Sequence, residues 1–514
     1  MTPLHFCPKG LCPMKPFLRL TAAAAALCAA SPAAWSLTAE EAWEAWVGIA
    51  AEYGEEVTAA NTSKSGNVLT ASGVSVSMEM EELNLSGDLG DVTFTENGDG
   101  TVAIAVPSAF QMMMVADPEY GEKVELTLDF AMEGLDMTAS DADGGGAAFS
   151  YDAPTMTFTL GDMTVDGEAV PINFVGTIGG STGTYTKAGD IVTSVFNADS
   201  LKIDFDGRDP EGEGRGKGTI SMADISSTST GKGQLIFMDP EAIPELLKSG
   251  ASVQGSTKVG ATTFAIEGTD AGESFAISGD MDGGTGSVKL DADQVLYAVS
   301  YTGFDMTMSG SEIPLPEVTV GLGETSFNMI MPIAQSDAPK PYMLAVGLKD
   351  LTIADGIWNM FDPGTVLPRD PATLTFNLAG TGNWLIDILD PEAMANPQGM
   401  PGEIHSLNIS DVLLKAAGAE LTAEGTFTFD NTDLMTFGGM PAPDGTLRAK
   451  LSGANGLLDK LVTMGYVPAD QANGVKMMSG MFFRPGDGPD VLTTEIGVSP
   501  DGTVSANGIP IPLQ

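Results

Sequence analysis

Cysteine is nearly absent from this 514-residue sequence, which has 3, and histidine is scarcer still, with 2. Cys7, Cys12 and Cys28 all precede residue 37, so a chain beginning there has no disulfide, no thiolate nucleophile and no cysteine metal site. Basic residues are few as well: 23 Lys and Arg stand against 69 Asp and Glu, a formal charge of −46. A surface of that sign repels nucleic acid and anionic lipid, and no basic aromatic patch, phosphate-cradling Gly-Lys motif or dinucleotide fingerprint offsets it. The acids are scattered rather than clustered, the pattern of a solvated surface. With 43 % hydrophobic residues the chain has ample material for a core, which argues against disorder.

What the sequence does contain begins with a targeting pattern. Lys15 and Arg19 precede an apolar run from Leu20 to Ala30, followed by Ala33, Ala34 and Ser36, the charged, apolar and cleavage order of a secretory signal. The run is shorter than the roughly 20 residues that span a bilayer. Residues 1–36 are read as a signal peptide cleaved after Ser36, with Ala33 the second choice. Met14 would open a more usual signal than Met1, making residues 1–13 an over-called start. Leu27 before Cys28 is larger than lipoprotein processing accepts, so no lipid anchor is expected. The mature chain is expected in the periplasm, and losing three basic and no acidic residues takes its charge from −46 to −49.

From Leu37 the periodicity changes twice. Thr38 and Glu41 make a capping box, and Trp43, Trp46, Val47, Ala50 and Tyr53 recur at helical spacing, which predicts an amphipathic helix within residues 37–56. Beyond it the period is two: Val124, Leu126, Leu128 and Phe130 alternate with Glu125, Thr127 and Asp129, and similar runs occur at Met156 to Leu160 and Leu201 to Phe205. Asn97-Gly98, Asp99-Gly100, Asp143-Gly144, Asp282-Gly283, Asp444-Gly445 and Asp501-Gly502 are expected to turn antiparallel neighbours. Asp-Pro-Glu recurs at Asp117, Asp239 and Asp390 as a helix-start signal, and its uneven spacing leaves both duplication and chance recurrence open.

The pattern breaks most clearly at residues 335–341, where Ser336, Asp337, Pro339 and Pro341 interrupt it. It predicts a β-rich lobe at 57–334, a linker at 335–341 and, at 342–514, a β-rich lobe with short helices at Gly356 to Phe361, Asn383 to Leu389 and Gly456 to Met464. The fold class is therefore mainly β, an extended antiparallel sheet or sheets with an N-terminal amphipathic helix and a few short helices in the C-terminal half. The Trp43 and Leu457 helices are expected to cover its apolar side, and any bare stretch would be a groove. Helices in the second lobe and the absence of aromatic girdles argue against a membrane barrel.

The opening Leu37-Thr38-Ala39-Glu40-Glu41-Ala42-Trp43, together with the ending from Gly456-Leu457-Leu458 to Asn507-Gly508-Ile509-Pro510, resembles an uncharacterised family of exported alphaproteobacterial proteins, a domain of unknown function. The resemblance implies no catalytic residue. At fold level alone the chain is also similar to envelope proteins with groove-like β-sheets.

Candidate chemistry is thin. Asp141, Asp143 and Asp152 approach a calcium loop, with acids at positions 1, 3 and 12 and Gly146 at 6, but flanking strands favour an acidic hairpin turn. His405, the one histidine after residue 36, has Ser406 and Asp411 near it in sequence without a nucleophile elbow. Met78 with Met80, Met306 with Met308, and Met329 with Met331 place paired thioethers on strand faces, where copper(I) binding is outweighed by plain core filling. No cofactor and no catalytic residue is therefore expected. Function is read as a non-enzymatic envelope protein whose long sheet surface or apolar groove takes lipid or an envelope protein partner. The alternative is a hydrolase, for example one acting on glycans, that uses a carboxylate pair the sequence cannot single out. An apolar trough would favour the first and a cleft lined by two buried carboxylates the second.

Overall fold

Thr38 and Glu41 do cap a helix: Thr38 N donates to Glu41 Oε2 at 2.9 Å and Glu41 N to Thr38 Oγ1 at 3.2 Å. This is α1 (Ala39–Glu52), the first element of a computed structural model that describes residues 37–52, 54–80, 82–118, 120–142, 146–209, 212–232, 242–395 and 399–511. The signal-peptide reading of residues 1–36, Asp143 with its Gly144, and the Asp-Pro-Glu at 239–241 lie outside the described residues. The chain divides into two units, Met1–Gly212 with Ala223–Met238, and Glu213–Met222 with Asp239–Gln514. Both are mainly β, and every pairing between named strands is antiparallel.

In the first unit β1 (Glu55–Ser65), β2 (Val68–Met80) and β3 (Leu83–Glu96) form a meander. The short β4 (Val102–Ala105) and β5 (Ala109–Ala116) both pair with β3. β6 (Val124–Glu133) continues from β5 and β7 (Asp136–Asp141) from β4, and both then pair with β8 (Ala147–Val165). β9 (Glu168–Ala169) returns on β8, while β10 (Ile172–Ala188) and β11 (Ile191–Arg208) extend the sheet. α1 covers this sheet. Trp43 and Trp46 lie 5.8 and 5.9 Å from the Phe94 ring, and Leu69, Phe94, Ile104, Met137 and Tyr151 stand opposite one another across five strands, all buried. Burying such side chains contributes about 2 kcal/mol each.

β12 (Arg215–Lys232) is split between the units, and its first half pairs with β14 (Thr262–Asp270) in the second. After α2 (Ile243–Lys248), β13 (Ser252–Val259) pairs with β16 (Gly283–Leu290), and β14 with β15 (Glu273–Met281). β15 and β16 lie end to end along one side of β17 (Gln294–Gly310). From there a meander runs through β18 (Val318–Pro332), β19 (Lys340–Ile353), β20 (Ala372–Trp384), β21 (Gly402–Ala416), β22 (Ala419–Asp430) and β23 (Ala442–Ser452). It ends in β24 (Arg484–Pro485), β25 (Val491–Val498), β26 (Val504–Ala506) and β27 (Ile509–Ile511). Helices occupy its connections: α3 (Asp355–Phe361), α4 (Pro391–Ala395), α5 (Ala454–Thr463) and α6 (Ala469–Phe482). No helix among the described residues is long and apolar enough to cross a membrane.

Long strands here change phase midway. Along one face of β17 run Val295, Tyr297, Val299 and Tyr301 before Gly303, and Phe304, Met306 and Met308 after it. Gly303 has φ 62°, a left-handed conformation that favours glycine, and β18 changes phase beside it, so the β17–β18 register stays constant. Asp350 in β19 (φ 56°) and Asp411 in β21 (φ 54°) each carry the extra residue of a bulge, with register shifts at Leu348/Leu351 and Ile409/Val412. A one-residue slip would otherwise turn the second half of each strand inside out.

Several local readings are corrected by these pairings. Asp282-Gly283 does not turn a hairpin, because β15 and β16 continue one another along β17. Asp444-Gly445 sits within β23, paired to Thr428 and Phe427. Asn383 and Trp384 end β20 rather than start a helix, since the Trp384 indole donates to Pro332 O at 2.7 Å and draws the segment onto the neighbouring strand. No helix follows Asp117 among the described residues, whereas Asp390 caps α4 by accepting from Glu392 N at 2.9 Å. Residues 335–339 lie between β18 and β19 inside the second unit, and Lys340 and Pro341 open β19.

Candidate functional site

The second unit has an apolar face that the described residues leave largely uncovered. Across β17 to β21, Tyr297, Met329, Leu344, Leu378 and Ile409 stand opposite one another in register. The same rank continues through Gly425, Leu447, Ile496 and Ala506 to Ile509 on β27. Four residues along each strand, and five along the bulged β21, a parallel rank holds Leu348, Leu374, Leu414, Leu421, Leu451 and Leu492, with the bulge of β21 keeping it in phase. Ten strands at about 4.8 Å spacing make this surface roughly 40 Å across. No charged side chain interrupts either rank.

Exposure separates this face from the first unit's core. Leu348, Leu374 and Leu414 are 38, 39 and 48 % exposed, and Tyr297 46 %. Among the described residues both buried apolar clusters are built from the first unit, whereas buried apolar residues in the second unit are scattered, such as Leu247, Val318 and Leu367. The opposite face of the second-unit sheet is mostly polar. Lys349 Nζ donates to Glu324 at 2.9 Å and Arg448 Nε to Glu495 at 2.7 Å, each across a direct strand pair. Sheets of this kind normally have one dry side. Here the dry side is open.

The candidate residues singled out by sequence do not converge. Asp141 pairs with Ala147 at one end of the β7–β8 hairpin while Asp152 pairs with Asp136, five residues and about 16 Å further along. Asp143 lies outside the described residues, and no group of three or more His, Cys, Asp or Glu side chains among the described ones could hold a metal ion. Treatment with EDTA is therefore expected to leave the thermal midpoint unchanged; a fall of about 10 °C or more would restore the calcium loop, since a metal bound only by the native state stabilises it.

His405 Nε2 meets Asn383 Oδ1 at 2.7 Å, and Glu403 Oε2 lies 3.5 Å away. Ser406 turns to another strand, its hydroxyl accepting from Thr381 N at 3.0 Å, so no Ser-His pair forms. Two carboxylates are buried among the described residues, one in each unit: Glu55 and Asp362. Burial opposes ionisation of Asp362, but the donating amides of Val366 and Leu367 and the nearby Arg369 outweigh it and hold the carboxyl below its ordinary value. It is a structural cap. Met78 packs with Leu85 and Met112 in a small core cluster touched by Met80 and Met114, and Met329 belongs to the open face.

Sequence periodicity found these strands and an apolar side to be covered, but not which strands stay bare, because alternation within one strand does not reveal whether a second layer covers it. Residues 237–513 match the profile of a family described as "Uncharacterized protein conserved in bacteria (DUF2125)", a span that coincides with the second unit. No curated protein matches the chain.

Proposed function

This chain belongs to that family of uncharacterized bacterial proteins, and from there we propose that it is an exported envelope protein that binds the hydrocarbon chains of lipids on the open face of its second unit. The observation that carries this reading is an uncharged apolar surface crossing ten strands with its side chains half exposed. Exposed apolar surface of this extent is the mark of an interaction site. Within the sheet the backbone groups are already used in the ladders on both sides, so the face offers side chains alone. A peptide laid there would lose its water hydrogen bonds without replacement, at a cost of about 1–3 kcal/mol per group. A hydrocarbon chain has no such groups to lose.

The test is titration of the purified, delipidated full chain with a fluorescent fatty acid, alongside native mass spectrometry of the untreated protein. Saturable binding is expected, and Leu344→Asp with Leu378→Asp should weaken it at least ~10-fold. Binding that is unchanged in this double variant would remove the face from the reading.

Export is supported by the order of charge, apolar run and small residues from Lys15 to Ser36. Intact-mass measurement on protein recovered from the periplasm should give a chain beginning at Leu37. A form that retains Met14, or carries lipid on Cys28, would refute the export reading as stated.

A further inference from the structure

We infer that α6 is a docking element for the lipid bilayer surface, placed beside the apolar face. Its last turns present Met477, Met478 and Met481 at 76, 61 and 66 % exposure, next to Val475 and Phe482. At 100° per residue these five side chains fall in one half of the helix circumference, and Ala472, the buried residue of α6, lies on the other. Five adjoining apolar side chains on one exposed helix surface are not filling a core. Thioether chains are flexible and adapt to an irregular apolar medium.

The stripe is held rigidly against the sheet. Thr494 Oγ1 and Asn507 Nδ2 donate to Phe482 O at 2.6 and 2.8 Å, and Lys476 Nζ donates to Asp459 of α5 at 2.6 Å. Thr494 stands opposite Ala449, between the two apolar ranks, so the C-terminal end of α6 meets the open face itself. Charge points to the same occupant. From Ala454 to Pro485 the acids Asp459 and Asp470 are outnumbered by Lys460, Lys476 and Arg484, a local net of +1 in a chain of −46. The chain as a whole repels an anionic surface, and this hairpin carries no net negative charge that would do so. Interfacial binding scales with the apolar area buried in the headgroup boundary, and this stripe supplies that area on a segment without net negative charge.

The inference extends the hydrocarbon-binding reading by naming where the ligand is exchanged, and the assay separates the two. Flotation of the full chain with phosphatidylcholine vesicles, with and without phosphatidylglycerol, is compared with fatty-acid binding in solution. Wild type and the Met477→Leu, Met478→Leu, Met481→Leu variant are expected to float, and Met→Ser at the three positions to lose vesicle binding at least ~10-fold while fatty-acid affinity and thermal midpoint stay unchanged. Wild type that fails to float, or a serine variant that floats equally well, overturns the inference, as does a concentration-dependent dimer that the serine variant loses without any vesicle binding. Loss of fatty-acid binding in the wild type with flotation intact would instead sink the hydrocarbon-binding reading and leave this one standing.

Discussion

Phe94→Ala is expected to destabilise the first unit by about 3–5 kcal/mol, whereas Leu378→Asp should change the stability of the second by no more than about 1 kcal/mol. The contrast follows from what each side chain touches. Phe94 is fully buried between Trp43, Trp46 and its strand neighbours Leu69 and Ile104, so its removal leaves a cavity beneath α1. Leu378 lies on the open face, where an added carboxylate stays in water and meets only the flanks of Leu344 and Ile409. Urea unfolding of each variant, followed by far-UV circular dichroism, measures both. A loss at Leu378→Asp as large as that at Phe94→Ala would mean that the face is covered, and the binding reading would fall with it.

Glu55→Gln is expected to make the protein more stable at pH 8 by about 3 kcal/mol, an order-of-magnitude figure at 1.36 kcal/mol per pKa unit. Glu55 opens β1 at 8 % exposure, opposite Met78, with no hydrogen-bond partner among the described residues, and burial pushes its carboxyl up from 4.5 to about 7. A carboxyl raised in the folded state favours folding when protonated. That contribution is complete below about pH 4.5, declines as pH rises to about 7 and is absent above it. Glutamine is neutral throughout, so the stability difference between variant and wild type should open across that window and vanish near pH 4. A difference that is flat from pH 4 to 8 would show that Glu55 is not desolvated in solution.

Local signals were legible where a residue's partner is close in sequence. The Thr38–Glu41 box and the Leu457 to Val462 stripe both mark real helices, α1 and α5, because caps and helical spacing act over three or four residues. Asp282-Gly283 and Asp444-Gly445 misled because a turn dipeptide becomes strand when a neighbouring ladder receives it. α6 was missed for two reasons: Gly474 and Gly480 lower its helix propensity, and its apolar side faces outward, so no core periodicity marks it. The open face of the second unit was half visible. Its residues alternate as expected at Met329 and Met331, but registers joining residues dozens of positions apart decide that they form one surface.

The bulges make strand length in this protein a matter of parity. A sheet that alternates with period two reads its chain in pairs, and Asp350 and Asp411 are single unpaired letters that shift the frame. Removing Asp411 alone should therefore do less harm than removing Asp411 together with one further residue of β21, because the single deletion leaves Ile409 and Val412 two positions apart on one face and the double deletion sends Val412 and Leu414 to the polar side. Natural length variation in such strands should fall in even steps within each half and in odd steps only at a bulge.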